Sequence, residues 1–146
     1  MEERRAQVTH FVIDASAVAP FTFWDEAGRV TDEQRAMIAQ AQLHAPAHWR
    51  YEVANMLLVA QRRGRTSDSD HIRAVTHLDS LAIAIDEDGS RRAWSDCFDL
   101  AVADNLTIYD AAYLELARRN GYGLLTLDAP LARAARARGI ETPLIP

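Results

Sequence analysis

An α/β fold, with a mostly parallel sheet covered by helices, follows from three observations on the sequence. Short apolar runs alternate with amphipathic segments of helical period. Two of those runs, FVID at Phe11–Asp14 and GLLTLD at Gly123–Asp128, are strand-like and end on a carboxylate. Gly64, Gly121 and Gly139 follow helical segments where a helix stop is needed. Alternating strand–helix units place parallel strands side by side with helices on the sheet faces.

In order, Val8 to Ile13 reads as the first strand. Thr31 to Gln42 reads as a helix, opened by a capping box of Thr31 and Gln34 and striped by Met37, Ile38 and Ala41. Ala45 to Ala47 is short and extended around Pro46. His48 to Arg63 is a helix with Val53, Met56, Leu57 and Ala60 on one side. Ser67 to Ser80 is a second amphipathic helix, so the middle of the chain forms a helical hairpin. Leu81 to Ile85 is a short strand, Ser90 to Ala103 a helix, and Tyr109 to Asn120 another. Gly123 to Leu127 is a strand, Ala129 to Arg138 a helix, and Thr142 to Ile145 a last short strand. No repeat, low-complexity tract or linker interrupts the 146 residues, which are expected to form one domain, 1–146.

Composition narrows the function classes. Hydrophobic residues make up 49% and charged residues 25%, as in a globular protein with a real core. No apolar run is long enough to span a bilayer, and the start, MEERRAQ, lacks the apolar region of a signal peptide. The single cysteine, Cys97, cannot form an internal disulfide, so a cytoplasmic location is expected. All 16 basic residues are arginine. Chemistry that needs a lysine is therefore excluded. The net charge of −5 argues against a generally basic nucleic-acid binder but not against a basic rim around an acidic centre.

Four acids stand out. Asp14 and Asp128 end strands, and in open α/β sheets ligands bind beyond the carboxyl ends of the strands. Asp110 lies at the start of one helix and Glu52 one turn into another, and helices of such folds return to that edge at their N-termini. Each acid has an ordinary alternative. Asp14 and Asp128 can cap the segments they precede, Asp110 suits a helix N-terminus, and Glu52 can be a solvated helix acid. Convergence of all four would be costly, because like charges a few ångström apart repel unless a cation lies between them. Mg²⁺ or Mn²⁺ prefers oxygen ligands and pairs with phosphate.

At these residues the chain resembles PIN domains, in particular the toxin ribonucleases of VapBC-type toxin–antitoxin pairs. The resemblance spans nearly the whole chain: FVIDASAVAP with its Asp-x-Ser, PAHWRYEVANMLLVAQRRGR with its Glu-x-x-Asn, and LTIYDAAYLELARRNGYGLLTLDAPLARAARARGI. It implies a three-layer α/β/α sandwich and a metal-dependent endoribonuclease with Asp14, Glu52, Asp110 and Asp128 as its acidic site. Asp14, Asp110 and Asp128 are the expected ligands of Mg²⁺ or Mn²⁺, with Glu52 binding directly or orienting a water. Ser16, Asn55 and Thr126 match polar positions beside the acids, where they would support them by hydrogen bonds. The resemblance further implies an RNA substrate, a small antitoxin partner and a homodimer.

Other residues point nowhere specific. The arginines Arg62, Arg63, Arg65, Arg118, Arg119, Arg133, Arg136 and Arg138 cluster at helix C-termini, as the helix dipole favours, and none is assigned to catalysis. His44 and His48 are separated by Pro46 and do not make a helical zinc pair. Trp24, Trp49 and Trp94 suit core or interface positions. Receiver domains and haloacid-dehalogenase phosphatases also gather acids at strand ends, but both need a lysine. A P-loop is excluded because no Gly-Lys pair occurs. The rival from a different class is a catalytically silent PIN-like module that binds RNA or protein; the intact acids argue against it.

Overall fold

The computed structural model describes residues 7–146; the charged segment 1–6, expected to hold no signal peptide, lies outside the described residues. Among the described residues, four strands form one sheet in the order β3-β2-β1-β4: β1 is His10–Ile13, β2 Gln42–Pro46, β3 Ala84–Asp86 and β4 Gly123–Leu125. Every pairing is parallel. β1 is central, with Phe11, Val12 and Ile13 all buried, as a strand covered on both faces requires. Its register sets Val12 opposite His44 on one side and Leu124 on the other. One further bond, from the Asp14 amide to the Leu125 carbonyl at 2.9 Å, carries the pairing to the acid itself.

Among the described residues, seven α-helices flank the sheet: α1 Ala19–Thr22, α2 Asp32–Gln40, α3 Trp49–Arg62, α4 Asp68–Ser80, α5 Asp96–Asp104, α6 Ile108–Asn120 and α7 Ala129–Ala137. The expected capping box is formed: Thr31 Oγ1 accepts from the Gln34 amide while Gln34 reaches back to the Thr31 amide. A second box, Ser67 with Asp70, opens α4. α6 lies against β1, β2 and β4 and buries Ala111, Tyr113, Leu114, Leu116 and Ala117. Gly121 ends it at φ 70°, a left-handed conformation in which a side chain is strained. α7 begins with Pro130 in its first turn and buries Leu131, Ala132, Ala134 and Ala135.

Several boundaries differ from the sequence expectation, and each difference has a packing cause. α2 stops at Gln40 rather than Gln42, because Gln42 through His44 pair with β1, so the strand begins three residues earlier than Ala45. The strand expected at Leu81–Ile85 is shifted to Ala84–Asp86, where it pairs with His44–Pro46. The helix expected from Ser90 is divided. A 3-10 turn, Gly89–Arg92, is followed by α5 only from Asp96. The segment ahead of α5 is tethered to α6, since Arg119 bonds Asp86 at 2.6 Å and Arg92 pairs with Glu115 at 3.5 Å. Gly89 sits so close that an added Cβ would meet Asp86 Oδ2 at 2.7 Å.

No strand forms at Thr142–Ile145. One ladder-like bond, Leu124 amide to Glu141 carbonyl at 2.8 Å, precedes it, and then the chain turns at Pro143–Leu144. Arg136 holds that turn through Thr142 Oγ1 at 2.7 Å. Two 3-10 segments, Ala15–Val18 and Trp24–Arg29, and the short α1 between them were not expected. Among the three tryptophans, Trp49 is core, whereas Trp24 and Trp94 are 90% and 97% exposed.

Candidate active site

Asp14 follows β1 directly and is 4% exposed. A carboxylate that deep must be hydrogen-bonded or neutralised. Ser16 Oγ donates to its Oδ2 at 2.6 Å and Thr126 Oγ1 donates to the same oxygen at 2.8 Å. Each hydroxyl in turn accepts a backbone N–H from the loop after β4: Ser16 from Leu127 at 2.9 Å, Thr126 from Asp128 at 3.0 Å. The hydroxyl hydrogens are thus committed to Asp14 and the loop carrying Asp128 is fixed to it. Oδ1 of Asp14 has no protein hydrogen bond among the described residues. Burial pushes the Asp14 carboxyl up to about 6; the two hydroxyls pull it down, and the charges of Asp110 and Glu52 push it further up.

The mutual repulsion identifies the other members. Asp110, in the first turn of α6, is raised above the ordinary carboxylate range by burial and then by the charges of Asp128 and Glu52. The four acids from four separate segments therefore face one region beyond the carboxyl ends of β1 and β4. Capping does not describe the two strand-end acids, whereas Asp110 does hold the first-turn position of α6 that the helix dipole favours. Asp14 and Asp128 occupy N-cap positions, yet neither side chain makes a capping bond. The cap of α6 is Thr107, whose hydroxyl accepts from the Asp110 amide at 3.1 Å.

Glu52 is held by two groups that the sequence did not reveal as partners. The Tyr113 hydroxyl donates to Glu52 Oε1 at 2.9 Å, and His48 Nε2 stands 3.0 Å from the same oxygen. Burial acts to raise Glu52, but the His48 and Tyr113 hydrogen bonds outweigh it and leave the carboxyl below its ordinary range. His48 Nε2 is also 3.1 Å from the Tyr109 carbonyl. Both neighbours only accept, so Nε2 bears the hydrogen. The spacing was visible in hindsight: Tyr113 is three residues after Asp110 and His48 four before Glu52, so each pair shares a helix face. Asn55, expected beside the acids, is exposed on α3 and bonds none of them among the described residues.

The donor set suits a hard divalent cation: carboxylate oxygens only, one of them unpartnered on Asp14. As they stand, no three His, Cys, Asp or Glu side chains among the described residues are gathered tightly enough to enclose an ion. Four mutually repelling carboxylates draw in only when a positive charge joins them. The rest of the molecule supplies the contrast. Buried Glu115 and half-buried Asp86 are compensated by Arg119, at 2.8 Å and 2.6 Å. No arginine pairs with Asp14, Glu52, Asp110 or Asp128 among the described residues.

A four-stranded parallel sheet with acids at its strand ends defines a PIN-like α/β/α domain. The crystal structure of PAE2754 from Pyrobaculum aerophilum superposes with a TM-score of 0.62 at 22% identity, covering 88% of this chain and 87% of that one. Ribonuclease VapC3 of Pyrobaculum aerophilum is 36% identical over 121 residues, 83% of this chain and 91% of the relative. Ribonuclease VapC3 of Mycobacterium tuberculosis strain CDC 1551 is 35% identical over 128 residues, 84% and 85% of the two chains. No family model matches the chain. The chain belongs to the VapC ribonuclease family.

Proposed function

We propose that the protein is a divalent-metal-dependent endoribonuclease, hydrolysing RNA phosphodiester bonds as the toxin of a toxin–antitoxin pair. The observation behind this reading is the set of four acids with no arginine paired to them among the described residues, in a protein that neutralises Glu115 and Asp86 with one. Kinship with chains named Ribonuclease VapC3 supports RNA as the substrate.

In this reading Asp14, Asp110 and Asp128 hold Mg²⁺ or Mn²⁺. When bound, such an ion neutralises charge growing on the phosphate and makes a water a better nucleophile. The residues of the chain set the stage for it. Ser16 and Thr126 orient the Asp14 carboxylate and leave Oδ1 open, and the Thr126 hydroxyl fixes the loop that bears Asp128. Tyr113 and His48 keep Glu52 ionised and aimed, ready to bind the ion or a water beside it. The silent-module alternative gains nothing from so complete a set of acids.

The same acids favour a small antitoxin that covers this edge and inserts an arginine among the carboxylates, the charge the toxin itself withholds. A homodimer is supported by exposed apolar side chains: Trp24 after α1, Trp94 in the turn before α5, and Phe98 and Val102 along α5. Among the described residues no helix is long and apolar enough to cross a membrane. Cytoplasmic action suits both an RNA substrate and the unpaired, buried Cys97 thiol.

Incubation of purified protein with single-stranded RNA and Mn²⁺ tests the reading. Cleavage that stops in excess chelator and is abolished in Asp14→Asn, with an unchanged circular dichroism spectrum, is the expected result. Undiminished cleavage in chelator overturns the metal mechanism.

A further inference from the structure

Beside the acids runs a groove of about 220 Å³ between the Pro46–His48 turn, the first turn of α6 and the segment from Gly89 to Cys97. Its lining is almost wholly apolar, and among the described residues that form it there is no Asp, Glu or Arg, His48 being the one imidazole. Tyr109 stands at that end. Its side chain is 62% exposed, its ring centroid lies 5.5 Å from that of His48, and its carbonyl fixes the His48 ring. Asp110 follows it directly in the chain, and His48 bonds Glu52. The groove is therefore continuous with the acid site through two residues that each touch or adjoin an acid.

We propose that this groove is a nucleobase subsite for single-stranded RNA. The base next to the cleaved phosphate lies flat on Tyr109 and against Ile108, with a polar edge at His48 Nδ1. The inference rests on the ribonuclease reading and adds a subsite to it. Two features favour an RNA base over a protein side chain. An exposed aromatic face next to a phosphate-cleaving centre is what stacks an unpaired base regardless of its identity. The His48 geometry commits Nε2 to Glu52 and Tyr109, which leaves Nδ1 without a protein hydrogen bond among the described residues and able to meet the edge of a base. The groove brings no carboxylate of its own to repel a polyanion, because Asp110 and Glu52 do not line it.

A cycle of protein and substrate changes tests this. Cleavage of a single-stranded RNA of defined sequence is measured with Mn²⁺ for wild type, Tyr109→Ala and Tyr109→Phe. A series of the same RNA carries one abasic nucleotide at successive positions. Tyr109→Ala is expected to lower kcat/KM on intact RNA by about fivefold or more, the loss of one stacked base. Tyr109→Phe, which keeps the ring, restores the rate. In wild type one abasic position beside the cleaved bond should cost a similar factor, and in Tyr109→Ala that position should no longer matter. A structural defect would instead lower every substrate alike. Equal sensitivity of wild type and Tyr109→Ala to every abasic position overturns the subsite, as does an unchanged rate with a shift from dimer to monomer, which would make the groove a contact between copies. Absence of any RNA cleavage by wild type would overturn the ribonuclease reading itself.

Discussion

Tyr113, fully buried on α6, donates its hydroxyl to Glu52 Oε1 across 61 residues of sequence at 2.9 Å. Burial and the neighbouring charges of Glu52 and Asp14 raise the phenol well above its ordinary range, so it remains a donor at any working pH. Tyr113→Phe keeps the packing and removes only the hydrogen. The expected result is a loss of roughly tenfold or more in cleavage rate, as for other groups that orient a metal-site carboxylate. The Glu52 titration, followed by carboxyl carbon chemical shift, should move to higher pH. An unshifted titration would mean that Tyr113 does not tune Glu52.

Asp14 makes the metal-free protein respond to pH with an unusual sign. Its carboxyl titrates near 3.8 when unfolded and at about 6 when folded. The folded state therefore holds the proton more tightly. The stability that this group contributes is full below about pH 3.8 and is lost as the pH rises to about 6. Asp110, also raised by burial and by Asp128 and Glu52, acts in the same direction. Asp86, lowered by Arg119 against the effect of burial, acts oppositely. Melting temperatures of wild type and Asp14→Asn in chelator isolate the effect: the variant should gain on wild type as pH rises through that window, by an amount on the order of a few kcal/mol. Parallel profiles would show that Asp14 is not strained in the fold.

At the opposite end of the sheet, His10 Nδ1 lies 2.9 Å from His44 Nε2, and Tyr122 stacks on His10 with ring centroids 4.9 Å apart. One of the two nitrogens must accept, so both rings cannot be protonated with this bond intact. Burial lowers His44, the His10 charge lowers it further, and Asp86 partly offsets them. A histidine lowered in the fold contributes stability that is present above its unfolded value of 6.5 and lost as pH falls through its folded one. His44→Phe keeps the contact with Tyr122 and removes the titration. Its melting temperature should fall less than that of wild type between pH 7 and about pH 5, the range in which histidines titrate; an equal fall would exclude the pair as the source.

The parts of this molecule that were legible in the sequence are those written in local chemistry. The Thr31–Gln34 capping box, Gly121 after α6, and the acids at the ends of β1 and β4 needed no knowledge of neighbours. The misjudged parts depend on distant partners. Gln42 has helical company in sequence but a strand partner, His10, in space. Ser90 to Trp94 has helical composition, yet Asp86 and Arg92 are tied to α6 and delay the helix to Asp96. Thr142–Ile145 alternates like a strand, but Arg136 binds it into a turn. The same limit hid Tyr113, which acts on Glu52 only once α3 and α6 come together, whereas His48 is a local partner four residues before Glu52.

The most direct measurement of the central claim, that the four acids form one cation site, is the change in melting temperature on adding Mn²⁺ to wild type and to Asp110→Asn. A cation that binds only the folded state stabilises it by about 2.7 kcal/mol at a hundredfold excess over its dissociation constant. For a domain of this size that is a rise of roughly 5–10 °C. Without metal, Asp110→Asn should melt at or above the wild-type temperature, because one repelling charge is gone. With Mn²⁺, wild type should rise by that amount while the variant rises little. Equal Mn²⁺-induced rises in the two proteins, or none in wild type, would contradict the account.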